Sequence, residues 1–231
     1  MNIRRFFLWS VGTLLVLVLA VAAGVYWASR SETFLRWGID RFASSLPCSL
    51  KVEGLKGAFM EPVQVQHLVC ENSEYRIEAH DVAMVWSPLL LTGRRLDITS
   101  LQMQSLAYTS KPQTAPAGGP LTDVGLPIRV DIASLKIASL KITAPEIQAG
   151  EQPLQLTGID ATYRGDARMH RLRLRNVESQ WGRATADATM GAAAPFALTA
   201  ALTVDTNHFE GWPVSASVAL KGDLLGQITQ G

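Results

Sequence analysis

The side chains that could do chemistry are few and scattered along this 231-residue chain. The histidines His67, His80, His170 and His208 show none of the paired spacings that metal ligands favour. There is no Gly-x-Ser-x-Gly nucleophile motif, no Walker-type Gly-Lys-Ser/Thr and no Gly-x-Gly-x-x-Gly loop. His67 falls on an apolar strand pattern, where a hydrogen-bonded core histidine is commoner than a catalytic one. The sequence therefore predicts a protein that is not an enzyme and needs neither cofactor nor metal.

Two cysteines, Cys48 and Cys70, fall on the arms of a predicted hairpin. Their midpoint is residue 59, inside the turn-like segment 56–62, so the two residues should face each other. Facing residues of an antiparallel pair lie about 4.5–5.5 Å apart at Cα, which a disulfide can bridge. We predict this disulfide in an oxidising compartment. The alternative is a pair of buried free thiols, which behave as small hydrophobic side chains.

The N-terminal segment is the longest uncharged part of the chain. Phe6 to Ser29 would span about 36 Å as a helix, against roughly 30 Å for the bilayer core. Residues 1–29 are predicted to be an uncleaved transmembrane signal-anchor that crosses the membrane once and exports most of the chain, which in bacteria would place it in the periplasm. The alternative is a signal peptide cleaved at the small residues of Ala20-Val21-Ala22.

Residues 30–47 predict an amphipathic juxtamembrane helix, expected from Thr33 to Leu46. The apolar positions of its face are Leu35, Ile39, Phe42 and Leu46, flanked by Phe34 and Trp37. Their spacing places them on one side of a helix. Such a helix would lie on the membrane surface or pack against the domain that follows, and Pro47 would end it.

From residue 48 onward the apolar pattern has the period of two that is typical of strands. Residues 48–110 predict a first β module, residues 111–127 a Pro/Gly-rich linker or loop, and residues 128–231 a repeating β-groove module that continues beyond this sequence. A short echo appears where Ser134–Ala138 is followed by the similar Ser139–Thr143. The predicted fold is mainly β, an elongated, curled antiparallel sheet of repeating strands, with phase slips that indicate β-bulges.

These strands are apolar on one side, and an apolar sheet face must be covered. A second sheet would cover it in a closed sandwich. Otherwise a curled sheet would form a groove for acyl chains or unfolded polypeptide. The predicted lipid-facing residues are Val63, Val65, Val69, Ile128, Val130, Ile132, Leu154, Leu156, Leu172, Leu174, Phe196, Leu198, Leu202, Val204, Val214, Val218 and Leu220.

The order of these parts carries a family resemblance. After the anchor and helix come the strand Leu50–Gly54, the break Trp86-Ser-Pro-Leu-Leu-Leu-Thr-Gly93 and the strand Leu96–Leu101. Over residues 1 to about 110 this order resembles the N-terminal region of the TamB and AsmA-like family. The resemblance implies a periplasmic β-groove held in the inner membrane, working with an outer-membrane barrel-assembly partner. It also implies roles in outer-membrane protein assembly, secretion and phospholipid transport.

Three functions are therefore expected, in order of preference. The first is a bridge that carries phospholipid acyl chains between two membranes and supports outer-membrane biogenesis. The second is a chaperone-like module that guides β-barrel substrates by strand addition. The third is an anchored β-sandwich with a structural role. The net charge of +1 gives no sign of nucleic-acid binding.

Overall fold

The computed structural model describes Gly24 and residues 31–43, 47–111, 123–143, 153–209 and 212–223. Apart from Gly24, the predicted anchor at residues 1–29 lies outside the described residues, as do residues 112–122 of the predicted linker. Within the described ranges, no helix combines the length and the apolar composition that crossing a membrane requires.

The described chain is built mainly from strands, which confirms the predicted mainly-β fold. The elements are α1 (Glu32–Ala43), β1 (Ser49–Glu53), β2 (Val63–Glu71), β3 (Tyr75–Trp86), a 3-10 helix (Pro88–Gly93), β4 (Arg95–Ser110), β5 (Arg129–Thr143), β6 (Leu154–Gly165), β7 (Met169–Ser179), β8 (Gly182–Gly191), β9 (Ala197–Phe209) and β10 (Trp212–Asp223). The strands form one open ten-stranded sheet in which each strand pairs with its neighbours in sequence.

One strand pair departs from the predicted antiparallel order, because β4 and β5 run parallel. The prediction of an entirely antiparallel sheet is wrong at this point. Parallel neighbours need a connection of a dozen or more residues to return the chain to the same end of the sheet. The predicted linker at residues 111–127 supplies that length. The strands on its two sides are therefore hydrogen-bonded into the same sheet.

The parallel strands β4 and β5 are two copies of an internal repeat, and they pair in register. Arg95 lies opposite Arg129 and Thr109 opposite Thr143, a constant offset of 34 residues. Eight of the fifteen aligned positions are identical: Arg95/Arg129, Asp97/Asp131, Ile98/Ile132, Ser100/Ser134, Leu101/Leu135, Ser105/Ser139, Leu106/Leu140 and Thr109/Thr143. This repeat was not predicted; the shorter echo that was predicted lies within β5. A comparison of the sequence with itself at an offset of 34 would have found it.

Helix α1 packs on the sheet through part of its predicted face. Leu35 is buried in a cluster with Leu55, Val63 and Val65, and Ile39 packs against the same cluster. Trp37, which was expected to widen this face, is instead 62% exposed. Leu46 and the side chains of Phe34 and Phe42 lie outside the described residues.

The structure joins Cys48, just before β1, to Cys70 on β2. The two Sγ atoms are 2.04 Å apart and the two Cα atoms 5.5 Å apart. Cys70 lies directly opposite Leu50 and not opposite Cys48, so the predicted register of this hairpin is wrong by two residues although the disulfide forms. The bond ties the chain leaving α1 to the first hairpin of the sheet.

Removing this bond should destabilise the first hairpin. The bond joins residues 22 apart in sequence, and a loop of that size makes it worth about 3 kcal/mol in the chain-entropy model. We expect the full-length Cys48→Ser/Cys70→Ser variant to unfold at lower denaturant than wild type, and wild type to match it after reduction. Labelling of both thiols in denatured, unreduced wild-type protein would show that the bond does not form.

Candidate functional site

One face of the sheet is apolar from β1 to β10, and we call it the apolar face. Residues directly opposite each other on neighbouring strands project to the same side, so the register assigns each side chain. On the first four strands the apolar face comprises Leu50, Val52, Val63, Val65, Leu68, Cys70, Ile77, Ala79, Val82, Met84, Trp86, Leu96, Ile98, Leu101, Met103, Leu106 and Tyr108. On β5 to β10 it comprises Val130, Ile132, Leu135, Ile137, Leu140, Ile142, Leu154, Leu156, Ile159, Ala161, Tyr163, Leu172, Leu174, Val177, Ala184, Ala186, Ala188, Met190, Leu198, Ala200, Leu202, Val204, Ala216, Val218 and Leu220.

The apolar side chains stay on one face of the sheet because neighbouring strands interrupt their alternation at the same height. Strict alternation would turn the apolar set to the other side wherever one extra residue enters a strand. The apolar positions instead change parity at matching heights on neighbouring strands: between Val65 and Leu68 on β2, Ala79 and Val82 on β3, Met103 and Leu106 on β4, Ile137 and Leu140 on β5, and Leu156 and Ile159 on β6. Two residues near such steps, Asp81 and Gly158, have positive φ angles of 50° and 58°. Such left-handed residues bend a strand and re-aim its side chains.

Most of the predicted lipid-facing residues lie on the apolar face. They are Val63, Val65, Val130, Ile132, Leu154, Leu156, Leu172, Leu174, Leu198, Leu202, Val204, Val218 and Leu220. Ile128 lies in the bend before β5 and Phe196 in the turn before β9, where it is buried. Only the backbone of Val214 is described, opposite Thr206.

Val69 is the one predicted residue that the register places on the opposite face. It faces Lys51 on β1 and Glu78 on β3, whereas its neighbour Leu68 faces Val52 and Ala79. The phase changes between Val65 and Leu68, so alternation from Val63 gives the wrong side after this point. The same change moves His67 away from the predicted apolar position. Its ring stacks on His80, and its Nδ1 lies 3.6 Å from Glu53 Oε2.

Cover over the apolar face is uneven. Helix α1 lies over β1–β3 through Leu35 and Ile39. In the middle of the sheet, Ile137 and Val177 are only 6% and 8% exposed, because side chains of the same face pack around them. Towards β10 the exposure rises to 39% at Leu202 and 56% at Leu220. No described strand packs across this face, so the described strands form a single layer and not a closed sandwich.

The opposite, polar face carries ion pairs that cross β4–β8. Asp131 accepts a hydrogen bond from Arg129 Nε at 2.8 Å, which raises the pKa of Arg129. Asp187 accepts one from Arg173 Nε at 2.8 Å, and this bond holds the pKa of Asp187 below its ordinary value. The two faces therefore differ in chemistry along the same strands.

The composition of the apolar face is suited to binding hydrocarbon. Its side chains are almost all aliphatic or aromatic, and burying such surface releases about 25 cal/mol per Å². In the described part of the chain, no three His, Cys, Asp or Glu side chains are grouped as a metal site would require. Contiguous exposed apolar surface on this scale is typical of a binding surface.

Comparison with known proteins gives no relative for this chain. No family model matches it, and no curated protein or solved structure shows significant similarity to it.

A charge on the apolar face tests whether that face is open. Leu202 on β9 is 39% exposed, so Leu202→Glu should lower the free energy of unfolding by about 1 kcal/mol, as at a half-exposed site. A face covered by a second layer would lose several kcal/mol, because an unpaired charge would be buried. Thr203→Glu, on the polar face beside Leu202, is the matched control and should be nearly silent.

Proteolytic susceptibility of the full-length protein across a urea series measures both changes. Loss of the folded state in Leu202→Glu, with Thr203→Glu unchanged, would mean that the apolar face is covered.

Proposed function

We propose that this chain is an inner-membrane-anchored periplasmic protein whose sheet curls into a groove and holds phospholipid acyl chains along its apolar face. The headgroups would stay in water at the open side. The observation that supports this most is the continuous apolar face that no described strand covers from β4 to β10. In water, an apolar sheet face of this size is normally buried against another element or a ligand. Flexible hydrocarbon chains suit this face because it offers few hydrogen-bonding groups.

Continuity of the face makes the proposal energetically reasonable. Each methylene group removed from water contributes about 0.8 kcal/mol, so an acyl chain leaves a bilayer at little cost only if every part of it remains in contact with apolar surface. Ten strands at about 4.8 Å spacing give a track of roughly 45 Å across the sheet. Further strands of the same kind would lengthen the track towards a second membrane.

The wider role follows the resemblance of residues 1–110 to the TamB and AsmA-like family. On that basis the protein would form part of a bridge between the inner and outer membranes. It would work with an outer-membrane barrel-assembly partner and support the assembly and secretion of outer-membrane proteins. The anchor at residues 1–29 would hold the near end of the track at the inner membrane.

A second function, as a chaperone-like module, is favoured by the edge of the sheet at β10. Among the described strands β10 pairs only with β9, and its side chains from Ser215 to Asp223 are exposed. The free edge of such a strand presents N–H and C=O groups on which another strand could pair. A β-barrel substrate guided in this way would add to the sheet without using its apolar face.

The two functions are separated by the lipid content of the full-length protein and its variants. We expect wild type extracted in a lipid-free polymer to carry phospholipid in excess of its annular lipid, detected by native mass spectrometry. The Leu202→Glu/Val218→Glu variant, with two facing charges on the apolar face, should lose that excess several-fold because charge disfavours acyl contact.

Thr203→Glu/Ser217→Glu is the matched control, since these residues face each other on the polar side of the same two strands. It should retain the lipid of wild type. Wild-type protein with annular lipid alone, or equal lipid in the two double variants, would rule out the proposed groove.

A further inference from the structure

A second site candidate lies on the polar face, away from the proposed acyl-chain track. It is an open cavity of about 410 Å³ between β4 and β7. Five arginines line it: Arg95, Arg164, Arg171, Arg173 and Arg175. The carboxylates that line it are Asp97 and Asp131. A cavity with this composition attracts anions, since positive charge exceeds negative charge on its walls.

Asp131 organises one side of the cavity. It is the one charged residue in the described ranges that is buried, with 7% of its surface exposed. Its carboxylate lies 2.8 Å from Arg129 Nε, 3.0 Å from Arg95 Nε and 3.5 Å from Arg164 Nε. A guanidinium has five N–H donors, so one carboxylate shared among three arginines leaves many donors available.

Two more carboxylates hold the other side. Asp187 lies 2.8 Å from Arg173 Nε and 3.4 Å from Arg171 Nη2, and Asp160 lies 2.6 Å from Arg175 Nη2. With Asp97 these make four carboxylates for six guanidinium groups, counting Arg129. Asp166, which also interacts with Arg129, is a fifth carboxylate, so the cluster has an excess of one positive charge.

The strand register places arginines opposite each other, so the excess positive charge does not serve to hold the strands together. Arg164 lies directly opposite Arg171, and Arg95 directly opposite Arg129. Like charges facing each other across strands destabilise a sheet. Charged side chains that served only to hold strands together would pair opposite charges across the strands, as Arg173 and Asp187 do. An anion held between Arg164 and Arg171 would turn their repulsion into two attractive contacts.

We propose that this cavity binds a phosphate monoester, clamped by Arg164 and Arg171. The planar fork of a guanidinium matches two phosphate oxygens, and a monoester carries close to two negative charges near neutral pH. The monoester has two sources, the headgroup of an acidic lipid such as phosphatidic acid or a water-soluble phosphate ester. Because the cavity opens on the polar face, the site does not depend on the apolar face binding acyl chains.

The test is calorimetric titration of the full-length protein in phosphatidylcholine nanodiscs. The probes are glycerol 3-phosphate, short-chain dihexanoyl phosphatidic acid, and dihexanoyl phosphatidylcholine as a diester control. We expect both monoesters to bind and the diester to bind at least tenfold more weakly. Similar affinity for the two monoesters would identify a soluble ester, and tenfold tighter binding of the phosphatidic acid would identify a lipid headgroup.

Variants decide whether the cavity is responsible. Arg164→Ala and Arg171→Ala should each weaken monoester binding at least tenfold without loss of folding, since these side chains are 75% and 51% exposed. Arg164→Lys should recover part of the affinity through its charge. The control is Arg183→Ala, which removes another arginine paired on this sheet, with Glu178 at 3.2 Å, outside the cavity.

The proposal is overturned if wild type binds neither monoester at millimolar concentration. It is also overturned if Arg183→Ala weakens binding as much as Arg164→Ala, or if the diester binds as tightly as the monoesters.

Discussion

The structure depends on keeping apolar side chains on one face of ten strands. A strand that slips by one residue turns its whole apolar set to the other side. Here the apolar positions on β2–β6 change parity at matching heights, so the apolar face stays continuous from strand to strand. Once that face exists, an occupant is required, because a single sheet cannot cover itself. Helix α1 covers the part over β1–β3, and the rest defines the proposed binding surface.

The alternation of apolar and polar residues predicted the positions of the strands, but it could not predict how distant strands pair. Leu198, Leu202, Val218 and Leu220 lie on the predicted face of the sheet because β9 and β10 alternate without interruption along these residues. Val69 was misplaced because the phase change before Leu68 depends on the paired strand as well as on β2 itself. The parallel pairing of β4 with β5 was missed because it reflects a repeat 34 residues away.

The two faces of the same strands have separate chemistry. On β7, Leu172 and Leu174 project to the apolar face, while the alternating residues Arg171 and Arg173 project to the polar face. Alternation with a period of two thus allows one strand to contribute to a hydrocarbon surface and to an arginine cavity. The cavity could not be predicted from spacing alone, because its arginines come together only when four strands are in register. Asp131 shows this most clearly, since its partners Arg95 and Arg164 come from β4 and β6.

In the proposed function, one face of the sheet, and only that face, contacts lipid acyl chains. Ala200 and Ala201 offer a matched pair, because they are adjacent and identical but project to opposite faces: Ala200 faces Ala188 and Leu220, and Ala201 faces Asp187 and Ala219. The direct measurement places a benzophenone amino acid at each position of the full-length protein, irradiates living cells and identifies the adducts by mass spectrometry. The account predicts phospholipid adducts at position 200 and none at position 201. Equal labelling of both positions, or polypeptide adducts in place of lipid at position 200, would contradict it.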